Sequence, residues 1–396
     1  MLFRVRRLLL RSDRFLTDAA LRVECGRVVE VLEKPGRIQG KTVDLDQGFV
    51  CPGFVNAHAH LELGGLAGRL TATGFVGWVR ELVEARKSQG KADFARAFEG
   101  GVQRLLATGT TCVGDIDSSG VCEERAAPLR IVCFREVLDA GDPVRVPSAL
   151  RRIQRALPKK RLFQEGLSPH APYTTSPELL AGCAKILRRR PLPVAVHWAE
   201  IAEEEPWLLR GEGPLGELLR PPSTPLGQRG LELLKRSGLL DGRLLLIHGN
   251  HPAREDFERI ARAGASVVHC PGTHRFFDRS AFPLRDYQRA GIPIALGTDS
   301  LASNEDLDMG REMELASQSF PEVEPREIFR WATEGGARAL GLGDRLGRLE
   351  AGFEADFVQH PHEPADAREA VLALMGPARA LKSWVAGSEV RTNADA

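Results

Sequence analysis

The sequence predicts an α/β protein: a (β/α)8 TIM barrel with a small β domain built from both chain ends. Three observations lead there. Short apolar strands alternate with helix-length stretches through the middle of the chain. Segments rich in Val and Leu, set off by turn residues, occur at both ends. Several His fall at the C-terminal ends of the central strands, the end of such a barrel that carries its sites.

Residues 2–10, 21–24 and 27–33 read as strands of the small β unit, with Gly26, Pro35 and Gly36 as turn residues. Val50–Val55 opens the alternating region. Thr111–Val113, Arg130–Phe134, Leu162–Leu167, Val194–His197, Leu244–His248, Ser266–His269 and Ile292–Leu296 follow, which makes eight strands. Helix-like stretches lie near 75–88, 94–107, 147–157, 176–189, 228–237, 253–263 and 325–340. Gly347–Gly352 is rich in turn residues, and Ala355–Val358 and Ala380–Val385 read as further strands. Chain termini often lie close in space, so the expected division is residues 1–51 and 345–396 in the β unit and 52–344 in the barrel. No internal repeat or low-complexity segment interrupts this order.

The 396 residues suit one large barrel plus an accessory domain, and 43% hydrophobic content is enough for a sizeable core. Lys and Arg number 54 against 53 Asp and Glu, a net charge of +1. That balance gives no electrostatic reason to expect nucleic acid or an anionic membrane as partner. The seven Cys are scattered, odd in number and lack a C-x-x-C pair, which argues against a disulfide framework or a zinc ribbon. The apolar run Leu8–Leu10 is far shorter than a signal-peptide core, and no segment approaches the roughly 18 apolar residues of a membrane span. A cytoplasmic location, a small-molecule substrate and no membrane partner are expected; a homodimer is compatible with the chain.

His58 and His60 follow the first barrel strand, His170 the fourth or fifth, and His197 and His248 end the next two. Asp299 follows the last. In His58-Ala-His60 the two side chains point the same way on an extended chain, roughly 7 Å apart at Cα, so both can converge on one ion. Imidazoles completed by one carboxylate suit zinc, iron or nickel and leave a position open for water. Pro52-Gly-Phe-Val-Asn56 before the H-x-H, with a later strand-end His and Thr298-Asp299-Ser300, makes the pattern specific. A second metal would call for a bridging group on a middle strand. Residues 130–134 and 162–167 contain no Lys, and Lys159 and Lys160 fall in a basic turn, so one ion is expected.

Glu200, in His197-Trp-Ala-Glu200, is placed to carry protons beside that ion. His248 is placed to hold or polarise an attacking hydroxide. Glu203, Glu204 and Glu205 read as solvated helix charges, and His360 and His362 as surface residues. His269 and His274 flank Cys270-Pro-Gly-Thr273 near the pocket. Gly211-Glu-Gly-Pro-Leu-Gly216 fits G-x-G-x-x-G but follows Glu-rich helical sequence and contains Pro, so it is no nucleotide loop. The H-x-E with P-C-x-x-C signature of zinc nucleobase deaminases is absent.

These residues resemble the amidohydrolase superfamily, in the branch of cytosine, S-adenosylhomocysteine and aminodeoxyfutalosine deaminases. The resemblance covers nearly the whole chain. It rests on Pro52–His60, Ser168-Pro-His-Ala-Pro-Tyr173, His197–Glu200, His248, His269-Cys-Pro271 and Gly297–Asn304, with Gly347–Asp356 similar to the segment re-entering the family's β-sandwich. It implies a distorted barrel, a β-sandwich and one divalent ion, zinc by preference and iron as the alternative, held by His58, His60, His197 and Asp299. It implies proton transfer by Glu200 and Asp299, polarisation by His248, and substrate contacts from His170, Glu62, Arg135 and Ser303. The implied reaction is hydrolytic deamination. The implied substrate is 6-aminodeoxyfutalosine, an adenine nucleoside on a route to menaquinone, with Arg135, His274 or Arg275 meeting its carboxylate and Phe75, Trp78, Trp198, Phe276 and Phe277 walling its aryl ketone. His248-Gly-Asn-His251 and Thr273-His274-Arg275 depart from the commoner forms of those segments. Deamination of S-adenosylhomocysteine, methylthioadenosine or guanine, and triazine dechlorination, are the alternatives. A non-catalytic metal-binding scaffold is the reading from a different class, and it would be expected to have lost ligands.

Overall fold

Two eight-stranded sheets organise the computed structural model, which describes residues 1–36, 41–157, 162–219 and 225–390. The turn holding Lys159 and Lys160 lies outside the described residues. The first sheet is built from both chain ends. It contains β1 (Leu2–Arg11), β2 (Arg14–Glu24), β3 (Arg27–Glu33), β4 (Thr42–Leu45) and β5 (Phe49–Pro52). β2 starts earlier than the sequence predicts. Residues 14–20 are drawn into it because the backbone of β1 takes its antiparallel partners there, from Leu2↔Arg22 to Arg11↔Arg14.

The second sheet is the barrel: β6 (Phe54–Ala59), β7 (Thr110–Asp117), β8 (Arg130–Val137), β9 (Phe163–Pro169), β10 (Val194–Trp198), β11 (Leu244–His248), β12 (Ser266–His269) and β13 (Ile294–Leu296). Each pairs with its sequence neighbour in parallel. β14 (Phe357–His360), β15 (Lys382–Val385) and β16 (Ser388–Val390) then rejoin the first sheet.

The expected strand Val50–Val55 is two strands in different sheets. Gly53 is the crossing point. A Cβ there would lie 2.1 Å from Thr111 Oγ1 on β7, so only glycine lets the chain change sheets so close to its neighbour.

Alternation along the strands sets what faces the barrel axis. On β10, Ala195 belongs to the inner core with Val55, Phe134, Ile247 and Val268. Val194, Val196 and Trp198 pack outward with Leu179, Leu180 and Leu187 of the helix Pro177–Arg189. His197 therefore points inward, whereas Trp198 faces outward, away from the barrel axis. The expected helix 325–340 is broken into Pro325–Arg330, a wide π turn at Trp331–Gly335 and Gly336–Ala339. A Cβ on Gly335 would meet Ile294 O at 2.4 Å and one on Gly336 would meet Val55 O at 2.3 Å, so bare glycines let this segment lie against β13 and β6. The helix Met309–Ser319 was not anticipated. No helix among the described residues is long and apolar enough to cross a membrane.

Arg130, at the start of β8, joins the two sheets. Its Nε donates to Asp356 Oδ2 at 2.6 Å and its Nη2 to Glu354 Oε2 at 2.7 Å, all three residues being buried. Asp356 in turn accepts from the Ala386 amide at 2.7 Å. Removing one partner of such a pair strands the others. Arg130→Ala is expected to lower unfolding free energy in urea by about 3–5 kcal/mol; a loss below about 1 kcal/mol would show that the sheets hold together without it.

Candidate active site

β6 and β13, the first and last barrel strands, meet at their C-terminal ends. The backbone amides of Thr298 and Asp299 donate to His58 O at 3.0 and 3.1 Å, and the His60 amide donates to Asp299 O at 3.3 Å. Asn56 ties the same seam: its Nδ2 donates to Thr298 Oγ1 at 2.7 Å and its Oδ1 accepts from the His58 amide at 3.2 Å. These bonds bring two His and one Asp together, and His197 enters from β10 across the axis.

His60 Nε2 and His197 Nε2 lie 3.2 Å apart, and Asp299 Oδ1 lies 3.5 Å from His58 Nε2 and 3.8 Å from His60 Nε2. Ligands held about 2.0–2.1 Å from a tetrahedral ion sit about 3.3 Å from one another. The spacing therefore fits four donors around one cation. Both ring nitrogens of His58 are buried without a hydrogen-bond partner among the described residues, which a protein tolerates poorly unless something else binds there. The charges agree. Burial pushes the His60 imidazole down to about 3 and His197 well below its ordinary value. Burial would raise the Asp299 carboxyl, but its contacts with His58, His248 and His60 outweigh it and hold it well below the carboxylate range. Burial thus favours the neutral forms of His60 and His197, and Asp299 is kept ionised, as a divalent ion requires of its ligands.

Neighbours fix the donors in place. His197 Nδ1 faces His170 O at 3.1 Å, which leaves Nε2 bare for the cluster. Ser303 Oγ donates to Asp299 Oδ2 at 3.2 Å and is fully buried, so it orients this carboxylate rather than facing a pocket. Ala199, His248 and Asp299 hold left-handed backbone, with φ of 48°, 72° and 57°. Such conformations persist in non-glycine residues only where the surroundings impose them.

Glu200 and His248 sit beside the cluster, with His248 Nε2 3.5 Å from Glu200 Oε1. The turn carrying Glu200 is held by Glu204, which accepts the amides of Ala199 at 2.9 Å and Glu200 at 2.7 Å. Glu204 is thus buried and structural, not the solvated charge its sequence context predicts. His170 is 4.9 Å from His197 by ring centroid and bonds Thr174 Oγ1 through Nδ1 at 2.7 Å. Burial pushes its imidazole down to about 4.

Several expected substrate contacts are placed elsewhere. Arg135 lies on the outer face of β8, one position off the inward parity. Its guanidinium is taken up by Glu123, Glu165 and the backbone carbonyls of Ile153 and Arg155. Glu62 has both oxygens engaged, with Arg86, Ser118 and the Ser119 amide. Arg275 pairs with Glu305 on the surface. His360, expected at the surface, is buried against Phe49 with ring centroids 5.6 Å apart. Of the aromatic wall, Phe75, Trp78 and Phe277 do cluster, at 5.4–6.3 Å between centroids.

Two residues at the site were missed. Glu136 is one position beyond Arg135 and so faces inward. Its carboxyl is raised to about 7 by burial, its Oε1 has no hydrogen-bond partner among the described residues, and it lies near His170 and His197. Counting parity along β8 would have found it. Arg279 donates from Nη2 to Glu200 Oε1 at 2.6 Å. It sits in a loop that no motif marks.

Comparison with known proteins places the chain in a family. The chain is 32% identical over 317 residues to the aminodeoxyfutalosine deaminase of Deinococcus radiodurans, covering 74% of this chain and 73% of that protein. It is 28% identical over 363 residues to the 5-methylthioadenosine/S-adenosylhomocysteine deaminase of Pyrococcus abyssi, covering 87% and 81%. Among solved structures, a zinc-bound adenosine deaminase from Xanthomonas campestris is 25% identical, with a TM-score of 0.81 over 98% of this chain and 92% of that one. The aminofutalosine deaminase of Helicobacter pylori, bound to methylthio-coformycin, shares the fold at a TM-score of 0.84 and 20% identity, over 98% and 100% of the two chains. The amidohydrolase family model matches residues 49–383, and the chain belongs to the amidohydrolase family, as a hydrolase acting on carbon–nitrogen bonds.

Proposed function

We propose that this chain is a metal-dependent hydrolytic deaminase of adenine nucleosides. The observation that carries the reading is the Glu200 carboxylate and the His248 imidazole, 3.5 Å apart, standing beside His58, His60 and His197, which lie close enough to share one cation, with Asp299 3.5 Å from His58. His58, His60, His197 and Asp299 would hold one divalent ion, zinc first and iron second. When bound, such an ion supplies Lewis acidity and brings the pKa of water toward about 7.

The chain's own groups supply the proton traffic. Asp299 accepts a proton from the attacking water. Glu200 delivers a proton to the ring nitrogen next to the amine-bearing carbon, then helps move one to the departing amine. Burial raises the Glu200 carboxyl above its ordinary value, against the pull of Arg279, which suits a group that must both take and give a proton. Burial keeps His248 neutral, well below its usual value, so it can steady the oxygen that gains negative charge. Water is consumed, ammonia leaves and a ring carbonyl remains.

The leading substrate is 6-aminodeoxyfutalosine, which would place the chain on a route to menaquinone. The 32% identity to a protein of that name supports it, as does the Phe75, Trp78 and Phe277 cluster as a wall for an aryl ketone. Methylthioadenosine and S-adenosylhomocysteine are the second reading, from relatives matching more of the chain at lower identity.

Ammonia release from metal-replete protein, tested on these nucleosides, adenosine, guanine and cytosine, is expected to be greatest with an adenine nucleoside. Activity on guanine alone would overturn the proposal. Glu200→Gln is expected to lower turnover about 10²–10⁴-fold with the metal content of the protein unchanged; unaltered turnover would remove Glu200 from the mechanism. Dialysis against a chelator is expected to abolish turnover and lower the thermal midpoint, because an ion bound only by the folded state stabilises it. Zinc should restore both, and full activity after chelation would contradict the metal site.

A further inference from the structure

We propose that Arg279 is the anion-recognition residue of this site, and that its guanidinium leaves Glu200 for a carboxylate carried on the 5′ side of the nucleoside. The inference rests on the deaminase reading and deepens it by naming the substrate's charge and the residue that reads it.

Arg279 is a buried cation, its side chain only 6% exposed. Glu200 is its single ion-pair partner among the described residues. A guanidinium offers five N–H donors in a fixed fork. Here Nη2 serves Glu200 Oε1 at 2.6 Å, while Nε and Nη1 are buried with no partner among the described residues. Donors left unpaired in a buried site are unfavourable and call for an acceptor. The cation lies over the rings of Phe277, at 4.8 Å from its centroid, and Phe75, at 5.9 Å. These contacts hold the flat face and leave the edge, where the N–H groups are, to bind.

Glu200 has to exchange protons with the substrate ring, yet in the free protein one of its oxygens is tied to a permanent cation. The conflict disappears if a second carboxylate takes over the guanidinium. Nη2 already holds one carboxylate oxygen, so a second carboxylate taking its place preserves the charge balance and can also engage the unpaired N–H groups of the fork. A phosphate dianion would instead meet the neighbouring carboxylate of Glu200. A substrate with the right charge thereby frees the catalytic group, while a neutral one must displace Arg279 without compensation.

The test compares 5′-deoxy-5′-(2-carboxyethylthio)adenosine, 5′-deoxy-5′-(methylthio)adenosine and adenosine 5′-phosphate as substrates of the metal-replete wild type, Arg279→Met and Arg279→Lys. The wild type is expected to prefer the carboxylate. Arg279→Met is expected to raise KM for that nucleoside about 10- to 100-fold more than for the methylthio compound, the range lost with a charge-assisted hydrogen bond. Arg279→Lys should keep part of the preference; Arg279→Gln replaces the Met variant if that one does not fold. Equal losses on the carboxylate and methylthio compounds would overturn the proposal, leaving Arg279 as a support for Glu200 alone. Preference for the phosphate would overturn it in favour of dianion recognition. Deamination of none of the three by the wild type would fell the deaminase reading itself, and this inference with it.

Discussion

The barrel closes without a ladder between its first and last strands. A single bridge, Ala59 to Asp299, and a few backbone bonds at its mouth join β6 to β13. The groups that make this closure, His58, His60 and Asp299, are the same residues whose side chains form the donor cluster. The geometry of the site is therefore fixed by the requirement that the fold close. Asn56 and Thr298, which bear no reactive chemistry, matter because they satisfy the polar groups of that seam. Asp299 accepts left-handed backbone as a consequence, at a cost on the order of 1 kcal/mol that the seam must offset. An ion bound there would cross-link β6, β10 and β13, so site occupancy and barrel stability are expected to rise together.

Much of this was legible in the residues, and the limits have physical reasons. Strand-end His and the H-x-H spacing are local features, so the convergence of His58, His60 and His197 could be expected before any fold was known. The order of the barrel strands followed from their alternation with helices. Arg135 and Trp198 were misread because a residue's type says nothing of which face it occupies. Both lie on outward positions of strands whose inward neighbours, Glu136 and His197, reach the site. The split at Gly53 was invisible because an apolar run looks the same whether it serves one sheet or two. Glu204 and His360 read as surface residues from their surroundings in the chain, but backbone amides and an aromatic ring enclose them. Arg279 is paired with Glu200, 79 residues away in sequence, and no spacing announces it.

The site concentrates buried charge to an unusual degree. Asp299, Glu200, Glu136 and Arg279 are within or beside one cluster of imidazoles, where burial disfavours every charged form. Arg279 meets Glu200, and burial disfavours the protonated forms of His60, His197 and His248. Asp299 stays ionised beside them, held so by its contacts with His58, His248 and His60. Such an arrangement is unfavourable when empty and strongly favourable around a divalent ion. Glu136 adds a second carboxylate near His170 and His197, a grouping that could itself hold a competing ion.

Anomalous diffraction from crystals of the zinc-loaded protein tests the central claim most directly. A single peak is expected, about 2.0–2.2 Å from one nitrogen each of His58, His60 and His197 and from a carboxylate oxygen of Asp299. A peak held instead by Glu136 and His170, or no peak at the seam between β6 and β13, would contradict it.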